Sequence, residues 1–479
     1  MDKKLEMFKE AIKKLKKAGA DFVDIYYQKG KGFNATLEDN KIESTSFSVN
    51  EGVGIRVIKN FKIYFGYTND LNNFPKLIES LKESLRENKD ISLNFTKKER
   101  NLNDFYLDFD INLPLEEKID ILRFCNEKIR EKYEKISQVT LSISDGLSEI
   151  LMVNSLGEIV EDKRPFVLFK VLCVAKDLHN LQTGYESLAF RGGYKSIDKK
   201  KFLESSFKAA QRACTLLKAK DAPAGKFTVV LASEAGGTII HEAVGHGLEA
   251  DLVFQNMSVY KDKLGEKVAK EFITVIDDGT LKGFFGTTAF DDEGTPTQKT
   301  VLIENGILKD FMIDKFWSFK LKEDKEFLSQ ISLTPAEKEY IKNVQSSGNG
   351  RRQSYAHVPI PRMRNTFIAP GKENPEDIIK DTKKGILVLK MGGGEVNTVT
   401  GDFMFEINEA YMIENGKVTY PIKGASLIGN GPKILMEIDA LGNDLSFIPG
   451  ICGKEGQGVP VTDGVPTLRI PSITVGGTN

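Results

Sequence analysis

The chain has 479 residues, with 67 basic and 68 acidic side chains, four histidines and four cysteines. That length supports two or three domains with sizeable cores. A net charge of −1, with signs interleaved and no basic arm, argues against a nucleic-acid partner, and no apolar run is long enough to span a membrane.

Residues 1–20 are lysine-rich, and Leu5, Phe8, Ile12 and Leu15 fall at helical spacing. Asp2, Glu6 and Glu10, together with the lack of a cleavage-type apolar core, read as a docking helix and not a signal or transit peptide. Strand-like runs follow at 22–28, 33–38, 41–50, 52–58 and 62–67, separated by Gly, Asn and Asp. An amphipathic helix at 74–87 closes this unit, and the polar stretch 88–104 reads as a linker. A second region carries a helix at 114–133, strands at 139–143, 148–154 and 166–175, and a helix at 199–219. Ser155-Leu156-Gly157 makes a hairpin turn, and residues 221–225 break the pattern again.

Beyond residue 226 the chain is mostly short strands with Gly, Pro and Asn turns. Helical stretches interrupt it at 238–254, 325–344 and 432–441; Thr334-Pro335 splits the second into two short helices. The expected fold class is therefore α+β. An N-terminal α/β region sets helices on antiparallel sheet, and a C-terminal mostly-β, sheet- or barrel-like domain carries the metal-binding helix. The expected domains are 1–100, 101–222 and 223–479.

Half of the histidines lie in one run, His241-Glu242-Ala243-Val244-Gly245-His246. Two imidazoles flanking a carboxylate are the ingredients of a hydrolytic zinc site, in which the glutamate takes a proton from water. The apolar residues around the run, Ile239, Ile240, Ala243, Val244, Leu248 and Leu252, cover about half of a helix circumference, so the helix is expected to be buried. The histidines are five apart, not four. A regular helix would separate them by roughly 140°. Convergence on one ion requires a π-type widening, and Gly245 removes a side chain where the backbone must loosen. Without that distortion the two rings are ordinary buried histidines satisfied by hydrogen bonds.

A catalytic zinc needs about three protein ligands. His179 and His357 are the other histidines. Cys125, Cys173 and Cys214 sit in predicted helices and a strand as core thiols. Cys452 lies in a glycine-dense loop, 449–458, beside Lys454, which could keep a thiolate charged. By elimination Cys452 is the candidate third ligand, against the plainer reading of a free cysteine in a flexible turn. Glu249, three residues past His246, is the rival, although its ordinary fate is an exposed helix acid. The scattered cysteines, with no Cys-x-x-Cys, fit a reducing cytoplasm.

Several strings together resemble the TldD/PmbA family of metallopeptidases: residues 241–249, 350–357, 361–365, 422–429, 459–461 and Thr474-Val475-Gly476-Gly477-Thr478, with 52–57 near the N-terminus. The match covers nearly the whole chain. The resemblance implies a zinc ion, one per active subunit, on His241, His246 and Cys452, with Glu242 as general base. It implies an active TldD-type subunit that cleaves unfolded peptides. It also implies a dimer enclosing a cavity, formed with a second copy or with a motif-lacking PmbA/TldE-type sister. The stretch 316–347 is longer than that pattern leads one to expect, and would cover the entrance or add interface.

Tyr355 and His357 are candidate oxyanion donors, with structural support of a turn as the plainer reading. Arg362 and Arg364 are candidates for holding a peptide carboxylate, against the usual fate of exposed arginines. Two glycine runs, 392–394 and 429–431, lack the context of a phosphate cradle. The alternative readings are a non-catalytic peptide-binding or assembly subunit, and another metal amidohydrolase such as a deformylase-like enzyme.

Overall fold

In the computed structural model, residues 2–85, 87, 91–178 and 180–477 are described. His179, residues 88–90 of the expected linker and Thr478 lie outside that set. The first half is built on one seven-stranded sheet. Its strands are β1 (Phe22–Glu38), β2 (Lys41–Lys59), β3 (Lys62–Thr68), β4 (Thr96–Lys98), β5 (Ile136–Asn154), β6 (Glu158–Lys176) and β7 (Leu181–Phe190). They run in the order β3-β2-β1-β5-β6-β4, with β7 also on β6. Segments on both sides of residue 100 share this sheet.

The expected pairs of short strands fuse into long ones. Gly30 and Gly32 were expected to break β1, yet both are paired on each side, Gly30 with Asn50 and Ser148, Gly32 with Ser48 and Gly146. A glycine in a flat ladder costs backbone entropy but does not end the strand. The hairpin at residues 155–157 forms, and β7 is an addition that the sequence pattern did not single out.

The side-chain alternation of β1 assigns its two faces. Val23, Ile25, Tyr27, Phe33, Ala35 and Leu37 all point one way. At one end they pack with helices α1 (Asp2–Lys17) and α2 (Phe74–Glu83). At the other they pack with α3 (Leu115–Lys132) and α4 (Lys200–Leu216). The even positions meet the C-terminal half. Tyr26 joins Ile150, Met152, Ala289, Phe290 and Tyr355 in a small apolar cluster. Beside it the buried Arg56 pairs with Asp24 at 2.6 Å and with Glu293 at 2.7 Å, and Arg352 reaches Asp24 at 3.2 Å. Removing one member of such a buried set strands a charge, so the contact fixes the position of the loop that follows Arg352.

The C-terminal half contains a closed barrel. Strands Lys384–Val396, Gly225–Leu231, Leu468–Gly476, Ala425–Asn430 and Asp402–Glu414 pair in that order, and the first pairs again with the last. A six-stranded sheet flanks it and ends in the hairpin of Gln457–Val465 and Ser446–Lys454, whose outer strand lies at the sheet edge. Glu455 and Gly456, both at positive φ, make its two-residue turn. One large apolar core joins barrel residues such as Ile386, Val388 and Phe405 with Ile239, Ile240, Ala243 and Val244. The 316–347 stretch forms short helices, Lys315–Glu323, Lys325–Gln330 and Pro335–Asn343, capped by Asp314, Asp324 and Thr334. Trp317 and Leu321 anchor it to the same core.

Candidate metal centre

The run after the Gly225–Leu231 strand is not one helix. It begins α-helical at Thr238–Ile240, widens to a π-helical turn over His241–Gly245, tightens to a 3₁₀ turn over His246–Leu248, breaks at Glu249, and resumes at Ala250–Phe254. The His246 N–H donates to the His241 carbonyl, five residues back. That widening undoes the angular separation of a five-residue interval, and the two rings sit edge to face, 5.0 Å between centroids. Gly245 has ordinary helical dihedrals, so it is not there to loosen the backbone. A Cβ at this position would overlap the Met363 sulfur, and close packing is what requires glycine.

His241, His246 and Cys452 are brought together, one donor atom from each lying within 4.8 Å of the others, and all three residues are buried. Cys452 Sγ is 3.5 Å from His246 Nε2. The segment around Cys452 is the edge strand of the hairpin, not a loop, and Cys452 pairs with Val459. A Cβ at Gly453 or Gly456 would meet nothing, so those glycines are not needed for close approach of the thiol.

Each imidazole is held from behind. His241 Nδ1 donates to Asp463 at 2.8 Å, and His246 Nδ1 to Glu249 at 2.9 Å. Both Nε2 atoms are thereby left to face the thiol, the tautomer that a metal-binding histidine needs. Glu249, expected as a rival ligand or an exposed acid, is fully buried and extended in backbone; it grips His246 and accepts from Lys454 at 3.0 Å. Lys454 also pairs with Asp251, so it is not the cation of the thiolate. The guanidinium of Arg362 approaches the sulfur instead, with Nη2 3.1 Å from Cys452 Sγ.

The electrostatics set this cysteine apart. Burial raises the thiols of Cys125 to about 11 and Cys173 to about 12. Burial acts the same way on Cys452, but His241 and His246 outweigh it and bring the thiol down to about 4. Burial disfavours the charged forms of both histidines, and the facing acids and thiolate override it: Asp463 and Cys452 hold His241 well above its usual value, and Glu249 and Cys452 hold His246 at about 9. Each of the three groups thus favours the charged form of its neighbours, as donors packed around a shared cation do. Two imidazoles and a thiolate are a donor set suited to zinc.

Glu242 lies on the same turn, half-buried, with Oε2 3.9 Å from His246 Nε2, and burial raises its carboxyl. Other expected candidates lie elsewhere. Tyr355 packs its ring where a Cβ on Gly52 would stand, against the N-terminal sheet, and is structural. His357 Nδ1 bonds Ser354 Oγ at 2.9 Å within its own turn. Arg364 is buried, not exposed, and serves the Gly348 carbonyl and Thr288 Oγ1. Sequence reasoning missed Asp463 and the roles of Arg362 and Lys454. The only sequence signal for Asp463 is an acid in the strand beside that of Cys452.

Three family descriptions match in succession: PmbA/TldA metallopeptidase domain 1 over residues 23–92, the central domain over 110–220, and the C-terminal domain over 224–477. A metalloprotease of Methanocaldococcus jannaschii is 38% identical over 470 residues, 96% of this chain and 98% of that one. A metalloprotease TldD homologue of Buchnera aphidicola is 34% identical over 488 residues, 98% and 95% of the two chains. A zinc metalloprotease TldD homologue of Saccharolobus solfataricus is 28% identical over 473 residues, 98% and 100%. Among solved structures, TldE of Thermococcus kodakarensis shares the fold, with a TM-score of 0.73 at 20% identity, covering 98% of this chain and 99% of that one.

Proposed function

The chain belongs to the PmbA/TldD metallopeptidase family, and we propose that it is the TldD-type, catalytic member: a zinc-dependent peptidase acting on unfolded peptides or small proteins. The observation that carries this reading is the convergence of His241, His246 and Cys452 within 4.8 Å. Asp463 and Glu249 fix the ring orientations, and Cys452 supplies the charged ligand. One zinc ion per subunit, when bound there, would polarise the peptide carbonyl and acidify a water.

Glu242 is the general base of this proposal. It stands on the same turn as both histidines, and burial brings its carboxyl up towards the working range. It takes a proton from the attacking water and delivers it to the leaving amine. Peptide would approach along the outer edge of Ser446–Lys454, which pairs with no further strand among the described residues, leads to Cys452 and presents backbone groups that read no side chain. Unfolded chains satisfy that edge; folded ones do not.

A partner is part of the proposal: a second copy, or a motif-lacking PmbA/TldE-type sister, a reading in line with the fold shared with TldE. The proposed compartment is the cytoplasm, in line with four free thiols. Among the described residues no helix is long and apolar enough to cross a membrane. The experiment is incubation of purified protein with casein-like unfolded peptides, read by mass spectrometry, with and without a chelator. Chelator-sensitive cleavage at internal bonds is expected. Bound zinc without cleavage would favour a peptide-binding subunit, and cleavage of formyl groups alone would favour another amidohydrolase.

A further inference from the structure

Arg362 is fully buried, and an arginine carries a fixed charge. A guanidinium in such a place needs an anion, because an uncompensated buried charge is strongly destabilising. Among the described residues no carboxylate lies within ion-pair distance of it. Its Nη1 donates to the Gln457 carbonyl at 3.2 Å, and its Nη2 to the Cys452 carbonyl at 2.6 Å. Among the described residues the group at hydrogen-bond distance that can carry a compensating negative charge is Cys452 Sγ, 3.1 Å from Nη2. Lys454, the neighbouring cation, is fully occupied by Glu249, Asp251 and the Pro361 carbonyl.

We propose that Arg362 is a positioning residue that sets the electron donation of the Cys452 thiolate to the metal. The inference rests on the zinc reading above. A thiolate ligand cancels half of a divalent ion's charge and so works against acidification of a bound water. A charge-assisted N–H···S bond draws density back off the sulfur, as hydrogen bonds to sulfur ligands do in other metal sites. The guanidinium thus restores one unit of positive field to a site built with one anionic ligand. The same arm holds the Cys452 and Gln457 carbonyls, so it keeps the sulfur aimed while it withdraws charge.

Cobalt substitution tests this, since the sulfur-to-cobalt charge-transfer band reports donation by the thiolate directly. The full-length wild type, Arg362→Lys and Arg362→Gln are loaded with cobalt alone, and the ultraviolet band and the acid limb of kcat/KM against pH are recorded. In both variants the band is expected to move to longer wavelength and the acid limb to higher pH, Arg362→Gln more than Arg362→Lys. An unshifted band with cobalt bound overturns the proposal. Loss of cobalt uptake or of the fold in both variants also overturns it, and makes Arg362 a clamp of the hairpin. A wild type that takes up cobalt with no sulfur band would instead refute the zinc reading itself, so the two failures are distinguishable.

Discussion

Cys452 Sγ and His246 Nε2 lie 3.5 Å apart although 206 positions separate them in the chain. Two separate elements make that meeting: a π-helical turn that swings His246 round to His241, and a two-residue turn that folds the Cys452 strand back on Gln457–Val465. Neither element carries the site without the other.

Glu242 shares the π-helical turn but donates nothing to the ligand set. Glu242→Gln is expected to retain zinc and to lose about 10²–10⁴-fold in kcat/KM, the usual worth of a positioned base. Peptide cleavage at near-normal rate by the zinc-loaded variant would remove Glu242 from the mechanism.

Asp463 and Glu249 orient the rings from outside the ligand set. Asp463→Asn and Glu249→Gln are each expected to weaken zinc binding about 10–100-fold while the fold persists. Competition against a chromogenic chelator measures it, and unchanged affinity in both would show that ring orientation does not depend on them.

Gly245 is expected to be intolerant for a packing reason. Gly245→Ala puts a methyl group into the Met363 sulfur and should cost about 1–3 kcal/mol in urea unfolding. A neutral substitution would mean that Met363 moves aside freely.

Glu158 ties β6 to the helix starting at Lys315, 2.7 Å from the Lys315 ammonium. Burial opposes its ionisation, but Lys315 and Lys98 prevail and hold the carboxyl at about 2, below the ordinary 4.5. A depressed folded value contributes stability above the unfolded value and loses it as pH falls towards the folded one. Glu158→Gln should therefore cost about 1–3 kcal/mol near neutrality, with the deficit shrinking below pH 4.5 and gone near 2. A deficit independent of pH would assign it to packing.

The α+β class, the barrel-like second half and the distorted turn were legible because they follow from local patterns: alternation, helical spacing, and an interval of five that no regular helix satisfies. The long strands were not, since Gly30 and Gly32 look like turns until partner strands pair them on both sides, and Gly52 until it pairs with Gln28. That His241, His246 and Cys452 would meet was readable from residue type and resemblance. Its support was not. Asp463, Glu249 and Arg362 gain their roles only from distant segments, and Arg362 reads as an ordinary surface arginine until the hairpin covers it.

The proposed centre is one ion gripped by two rings and a sulfur. A zinc-edge anomalous map from crystals of the purified protein measures it most directly. One peak is expected about 2.0–2.3 Å from His241 Nε2, His246 Nε2 and Cys452 Sγ. A zinc-replete crystal with no peak there, or with the ion bound away from Cys452, would contradict it.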